Sequence, residues 1–473
     1  MRVAFVSGNR EKLPDPVIPY GLLCVAASVP ERYAKTIVDL CFEDEPLEIL
    51  RESLCSFEPD VVALGMRNIQ SADYSGTADT IDYYASLLAT IRAVCDAPVV
   101  MGGSGFSVMP AELMERLRPD FGIAGEAEES LPRLLEILDS GGRFEEVGSL
   151  HRFEGDALVS NPPAPGFLDM NTLSLADRSL VDPRHFEQVG IDSLQTKRGC
   201  PLRCEYCTYP IIEGRKGRLR EPVAVVDELI SIVELHPEVN HVFIVDSVFN
   251  LPRGHAKAVC REMIDRAPEI PWTCYANPLG FDAELAELMA RAGCAGMEVG
   301  SDSGSDRVLK KLRKGFTTEQ IRDLNRLARE AEIPDCHTFL LGTPGETMDD
   351  VLRTLDFIVD LDPHAAILMA WVDDYEALDS ELAKERRRLR DSVLSLLDEH
   401  KSAFPWWSIP SLGVNYDPAL FSLLRARGLH GPLWQHLRLL PASRTNRRRG
   451  RPVFSAEAAS RSELARSVMK DGS

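Results

Sequence analysis

A chain of 473 residues is too long for one hydrophobic core, and its size suggests about three domains. Hydrophobic residues make up 44% and charged residues 27%, a globular balance that excludes a largely disordered chain. With 53 Lys and Arg against 73 Asp and Glu, the net charge is −20, which disfavours a general nucleic-acid backbone binder.

Residues 1–145 alternate apolar runs with helical patterns, as expected for an α/β domain with a mainly parallel, doubly wound sheet. The expected strands are Val3–Ser7, Lys35–Asp39, Asp60–Gly65, Ala97–Met101 and Phe121–Ala124. Helices are expected at Ala85–Val94 and Ala111–Leu117. Ligands normally bind such folds at the C-terminal ends of the strands. Residues 146–190, with Asn161-Pro-Pro-Ala-Pro-Gly166, read as a connector containing a short hairpin between Leu150 and Val159.

A second alternating block, residues 191–375, has strand candidates Ser193–Thr196, His241–Val245, Trp272–Tyr275, Gly296–Val299, Cys336–Leu341 and Ala366–Met369. Asp282, Thr317 with Gln320, and Thr347 are placed to start helices. Six strand–helix repeats predict a partial (β/α)6 barrel. Residues 376–473 read as a helical C-terminal region that completes the substrate pocket. It carries the charged run Lys384 to Arg390, the aromatic group Phe404, Trp406 and Trp407, and a basic tail with Arg444, Arg447, Arg448 and Arg449.

The start MRVAFVSGNREKLPDP lacks the long apolar core of a secretory signal. Ala365 to Val372 is an apolar run of eight residues, whereas a membrane span needs about 20. A cytoplasmic protein without a membrane span is therefore expected. Eleven cysteines, an odd number, argue for reduced thiols with any tight cluster reserved for metal. Cys24, Cys41, Cys55, Cys95, Cys260, Cys274, Cys294 and Cys336 sit among apolar neighbours or at element ends and are expected to be buried.

The other three, Cys200, Cys204 and Cys207, crowd one loop directly after the first strand of the second block. Three thiolates on a compact loop can each bond one iron of a [4Fe–4S] cubane and leave the fourth iron open. Zinc competes, but a closed zinc site prefers four protein ligands, and no histidine lies between His185 and His236. The spacing Cys200-x3-Cys204-x2-Cys207, with Tyr206 before the last cysteine, resembles the signature of the radical S-adenosylmethionine family. The resemblance implies that the open iron chelates S-adenosylmethionine, whose reductive cleavage gives a 5′-deoxyadenosyl radical. An external donor such as flavodoxin or ferredoxin would supply the electron.

Strand ends of the second block offer cofactor contacts: Asp246, Ser247 and Asn250 after one strand, and Glu298, Ser301 and Ser303 along another. Lys310 and Arg313 follow on a helix, and Gly342 to Thr347 form a turn suited to adenine. The first domain has neither a dinucleotide fingerprint nor a P-loop. It offers Arg67 and Asn68 after the third strand, Gly102, Gly103, Ser104 and Gly105 after the fourth, and Gly125 and Glu126 after the fifth. This order of domains and loops is similar to the cobalamin-binding subclass of the same family. That likeness implies bound cobalamin, used as methylcobalamin. The first histidine of the chain is His151, so the N-terminal domain supplies no histidine ligand to cobalt, and Arg67 is the candidate for its lower face.

The expected function is a cobalamin-dependent radical methyltransferase that methylates a carbon centre of a small or medium organic substrate. Ring formation, rearrangement or dehydrogenation without net methyl transfer is the alternative. A nucleic-acid substrate is disfavoured by the charge. Tyr209, Trp272, Tyr275, Trp371 and Trp406 are candidates to line the barrel mouth.

Overall fold

The computed structural model describes residues 1–69, 78–164, 168–372, 381–401 and 405–439. Gly166, Phe404 and the basic tail from Arg444 onward lie outside the described residues.

The first sheet holds β1 (Arg2–Ser7), β2 (Ala34–Asp39), β3 (Val61–Gly65), β4 (Val99–Gly102), β5 (Phe121–Ile123), β6 (Leu150–Glu154) and β7 (Ala157–Ser160) in the order β2-β1-β3-β4-β5-β6-β7. Strands β1 to β5 pair in parallel. Continuous runs such as Val3-Ala-Phe-Val bury side chains on both faces, because helices cover both sides. The hairpin expected in the connector is β6–β7, and it joins this sheet antiparallel to β5. Since β5 is only three residues long, the hairpin covers backbone groups that would otherwise form an open edge.

The second sheet contains β8 (Ile191–Leu194). The chain then forms a separate two-stranded ribbon from β9 (Lys197–Arg198) and β10 (Arg218–Leu219) before re-entering the sheet. Its other strands are β11 (His241–Ile244), β12 (Trp272–Ala276), β13 (Cys294–Asp302), β14 (Asp335–Leu341), β15 (Ala365–Ala370) and β16 (Trp407–Ser408). All pair in parallel in the order β16-β15-β14-β13-β12-β11-β8, and no pairing among the described residues joins the two end strands. The result is an open, partial barrel.

Six strands lie where the apolar periodicity puts them. The seventh, β16, is a two-residue strand added by the otherwise helical C-terminal region: Trp407 is fully buried beside β15. Two residues carry no period-2 signal, so only pairing with a distant strand makes them a strand.

The helix starts agree with their sequence signals. Asp282 accepts from Leu285 N, and Thr317 with Gln320 and Thr347 with Asp350 form capping boxes. Such caps contribute roughly 1 kcal/mol each. In the helix Glu381–His400, Val393, Leu396 and Leu397 pack into the core, while Lys384, Arg387 and Arg388 are exposed.

Six of the eight isolated cysteines are buried, but Cys95 is half-buried and Cys55 exposed. Cys55 lies on the helix Pro46–Phe57, whose inner face is taken by Leu50 and Leu54. Burial pushes the Cys24 and Cys41 thiols up to about 12, so they are inert.

Along β11 to β15 burial alternates. Phe243, Val245, Glu298, Thr338, Leu340, Ile367 and Met369 are half-buried, while most of the residues between them are fully buried. One face of each strand therefore packs on helices, and the other looks into an open concavity. The turn Leu433–Leu439 lies at the strand N-terminal ends. Gln435 donates to Ala295 O, His364 bonds Gln435 O, and a Cβ at Gly296 would come within 2.7 Å of the Trp434 ring. This segment forms the floor.

Candidate cofactor and active site

The cysteine loop hangs from the β9–β10 ribbon, in which Arg198 pairs with Arg218. Gly199 starts it at φ 87, where a Cβ would sit 2.2 Å from the Lys216 carbonyl, so only glycine fits. Cys200 N donates to Gly214 O, and Cys207 N donates to Cys204 O at 3.3 Å, folding the loop back on itself. All three cysteines are free thiols; Cys200 is buried and the other two are half-buried. Burial raises the thiol pKa of Cys204 and Cys207, and the neighbouring cysteines add to the rise.

Among the described residues, no three His, Cys, Asp or Glu side chains converge on a point where one metal ion could sit. A tetrahedral zinc site requires such convergence. A cubane takes each thiolate at a different corner, so three loop thiols with no fourth donor fit it better.

Two structural ties hold this loop to the barrel. Glu205 N donates to Leu312 O, and the Tyr206 hydroxyl donates to Asp302 Oδ2 at 2.6 Å at the end of β13. Lys314 Nζ lies 2.7 Å from the same carboxylate oxygen. Trp371, just past β15, meets the Tyr206 ring edge-on at 5.9 Å.

The first sheet presents its strand-end loops as one knit surface. Ser104 Oγ donates to Arg67 O, Gly105 N donates to Met66 O, and Gly125 N donates to Ser107 Oγ. Gly103, at φ 99, leaves no room for a side chain, since a Cβ would lie 2.6 Å from Met66 O. A Cβ at Gly105 would approach the Asn68 carbonyl carbon at 3.0 Å. Arg67 is exposed, and Asn68, Gly102, Gly125 and Glu126 are half-buried. The Gly102–Gly105 turn and Gly125, free of bulky side chains, fit a large flat ligand approached by backbone.

The two loop sets face each other. A Cβ at Gly125 would lie 3.5 Å from the carbonyl of Ile212, in the short helix Tyr209–Ile212 that follows the cysteines. Burial pushes the Tyr209 hydroxyl up to about 12, and the Arg67 charge opposes only part of that rise. Glu126 spans the gap with Arg198 at 3.0 Å and Arg218 at 2.6 Å, and Arg198 also pairs with Glu128. The Glu126 carboxylate thus works as a clamp between the strand-end loops of the first sheet and the β9–β10 ribbon.

Other expected contacts are also committed to the protein. Asp246 is fully buried and accepts from Thr196 N, Thr196 Oγ1 and Lys197 N, fixing the start of the ribbon. Ser301 bonds His337 Nδ1 and Ser303 bonds Thr354 Oγ1, both in the packed layer between strands and helices. Strand alternation sends these side chains away from the concavity. Ser247 is half-buried, and its hydroxyl has no hydrogen-bond partner. Asn250 bridges Asn277 and Leu279.

Glu298 does face the concavity, but low down, where its Oε1 accepts from Trp434 Nε1 at 2.9 Å. Burial raises its pKa, and no cation offsets that rise. Among the expected mouth aromatics, Trp272 turns into the helix-side core and Trp406 is buried, whereas Tyr209, Tyr275 and Trp371 keep exposed surface. Lys310 is exposed and Arg313 pairs with Glu205 at 3.0 Å. Lys314, the next residue, is the cation that reaches inward. Asp302, Lys314 and Trp434 were missed; only the Lys314-Gly315 step, between the helices Asp306–Lys311 and Thr318–Glu330, hints that the chain turns there.

Residues 194–358 match the Radical SAM superfamily, and residues 7–135 match the B12 binding domain. The chain belongs to the radical SAM enzymes that carry a B12-binding domain. It is 26% identical over 419 residues to the tryptophan 2-C-methyltransferase of Streptomyces laurentii, covering 75% of this chain and 70% of that protein. It is also 26% identical over 391 residues to the anaerobic magnesium-protoporphyrin IX monomethyl ester cyclase of Cereibacter sphaeroides, covering 77% of this chain and 61% of that protein. Among solved structures, the radical S-adenosylmethionine methyltransferase TsrM from Kitasatospora setae, with cobalamin and a [4Fe–4S] cluster bound, superposes with a TM-score of 0.70 at 28% identity. That match covers 78% of this chain and 72% of TsrM. No described helix is long and apolar enough to cross a membrane.

Proposed function

We propose that this chain methylates a carbon centre of a small or medium organic substrate, with a [4Fe–4S] cluster on Cys200, Cys204 and Cys207 and cobalamin on the strand-end loops of the first sheet. The observation that carries the reading is the meeting of those loops with the cysteine loop and its ribbon, at Gly125 with Ile212 and Glu126 with Arg198 and Arg218, beside a barrel face left open. When bound, the cluster would supply an electron to S-adenosylmethionine, and cobalamin would carry the methyl group.

The chain's own residues bind, orient and enclose. Gly103 and Gly105 would let backbone approach a bound corrin, which Arg67 and Asn68 would line. The absence of histidine from residues 1–150 supports a cobalt without a histidine ligand from that domain. His185, which reaches the end of β2 from the connector, is held by Asp39 at 2.8 Å. Phe243, Tyr275, Leu340, Ile367 and Met369 give the substrate apolar walls, and Glu298 on the floor gives it one hydrogen-bond acceptor. Ser247, whose hydroxyl is unsatisfied, would bind S-adenosylmethionine, and an external donor such as flavodoxin or ferredoxin would reach the loop through exposed Pro201, Arg203 and Glu205.

The test is anaerobic reconstitution with iron, sulfide and cobalamin, followed by counting S-adenosylhomocysteine, 5′-deoxyadenosine and methylated product. Methylated product is expected. The likeness to the cyclase favours one second reading, ring formation without net methyl transfer. A product of unchanged carbon count, formed with 5′-deoxyadenosine, would select it.

A further inference from the structure

The β9–β10 ribbon closes the cysteine loop at its base, and each strand of that stem carries one buried arginine. Arg198 and Arg218 are each 8% exposed. Glu126 holds both of them, at 3.0 and 2.6 Å, through separate carboxylate oxygens. Arg198 also pairs with buried Glu128 and donates to Gln195 Oε1 at 2.9 Å. Arg218 donates to Glu213 O at 2.6 Å, and the Glu213 carboxylate accepts from Gly199 N at 3.1 Å, next to the first cysteine. A continuous chain of polar contacts thus runs from Glu126 to the start of the cysteine loop.

On the other side, Glu126 leads into the first sheet. The backbone N–H of its neighbour Gly125 donates to Ser107 Oγ, and that hydroxyl donates to Gly103 O, each at 2.7 Å. The two glycine turns are therefore tied together. Gly125 also packs against the tip of the cysteine loop, where Ile212 O lies 3.5 Å from the place of a Cβ. The loop rests on these turns twice, at its stem through charges and at its tip through backbone. The stem contact is the harder one to part, because parting it strands buried charges without partners.

We propose that Glu126 is a positioning residue that couples the two cofactor sites, so that a cluster on the cysteine loop raises the affinity of the first sheet for cobalamin. The inference rests on the proposed placement of both cofactors. Bonding three thiolates of one loop to a single cubane orders that loop. Through Arg198, Arg218 and Glu126 the order passes to the Gly103 and Gly125 turns. Cobalamin then meets turns that are already fixed, and its binding has less entropy to offset. By linkage, cobalamin raises the affinity for the cluster by the same factor.

The test uses full-length protein kept anaerobic, with hydroxocobalamin as the probe in equilibrium dialysis, before and after reconstitution with iron and sulfide. Wild type should bind the probe about fivefold more tightly once the cluster is assembled. Glu126→Gln should bring that ratio close to one while keeping its circular dichroism and iron content. A residue that only supported the fold would change both affinities and leave their ratio alone. A wild-type ratio of one overturns the proposal. So does a wild-type ratio in Glu126→Gln, which would assign the coupling to the direct contact of Gly125 with Ile212. Should Glu126→Gln fail to fold, the double variant Glu126→Gln/Arg218→Gln replaces the ion pair with two neutral groups that can hydrogen-bond, and an undiminished ratio there overturns it equally. Wild-type protein that takes up no iron or no cobalamin would instead defeat the underlying reading of the two sites.

Discussion

The two parallel sheets handle their faces differently. In the first, β1, β3 and β4 are buried on both sides, and ligand-facing groups are confined to the loops at strand ends. In the second, each of β11 to β15 leaves one or more residues, such as Phe243, Tyr275, Glu298, Leu340 and Met369, short of full burial toward the concavity, so the strands themselves line a site. A sheet covered on both faces can bind only at its edge. An open barrel face binds within. Two large cofactors and a substrate can meet because one sheet offers an edge where the other offers a cavity.

The sharpest way to break this comparison is at the cysteine loop. Cys200→Ala should abolish the iron–sulfur absorbance and reduce turnover to background, while cobalamin binding by the first sheet persists. Joint loss of both cofactors would show that the two surfaces are not separate. Gly103→Ala is expected next in size. With Met66 O only 2.6 Å from the new Cβ, cobalamin affinity should fall at least tenfold in equilibrium dialysis, and the cluster should remain.

Stability should distinguish the faces directly. Leu64→Ala, in the fully buried β3, should cost roughly 2–5 kcal/mol in chemical denaturation. Met369→Ala, on the open face of β15, should cost about 1 kcal/mol or less and act mainly on substrate KM. Equal costs would mean that the concavity is packed rather than open.

The smallest expected effect is a pH slope. Burial lifts Glu346, in the turn after β14, to about 7, despite bonds from Gly342 N and Thr343 N. Because its folded pKa lies above the unfolded value, its contribution is full below the unfolded pKa. It is lost as pH rises from about 4.5 through 7. Glu346→Gln should flatten that part of the stability profile; an unchanged slope would show that another group causes it.

Much of this was legible because it is local. The strand of Val3 to Ser7, the capping boxes at Thr317 and Thr347, and the cysteine spacing all depend on residues within a few positions of one another. Ser301 and Ser303 were misread because serines at a strand end carry no mark of which face they take. The bulge between Gly300 and Asp302 that governs facing there depends on pairing with β14. The ion pairs of Glu126 were not legible, because Arg198 and Arg218 lie more than 70 residues away.

The amino-acid order by itself determined the alternating α/β blocks, the loop carrying three thiols, the side-chain-poor strand ends of the first domain and the lack of any histidine there. These are matters of periodicity, spacing and composition, which survive without a fold. Tertiary structure alone decided that Trp407 adds a strand, that Trp434 closes the barrel floor beneath Glu298, and that Lys314 rather than Lys310 or Arg313 turns inward. Each of those outcomes depends on which distant surface excludes water from a side chain, and that information exists only once the chain has packed.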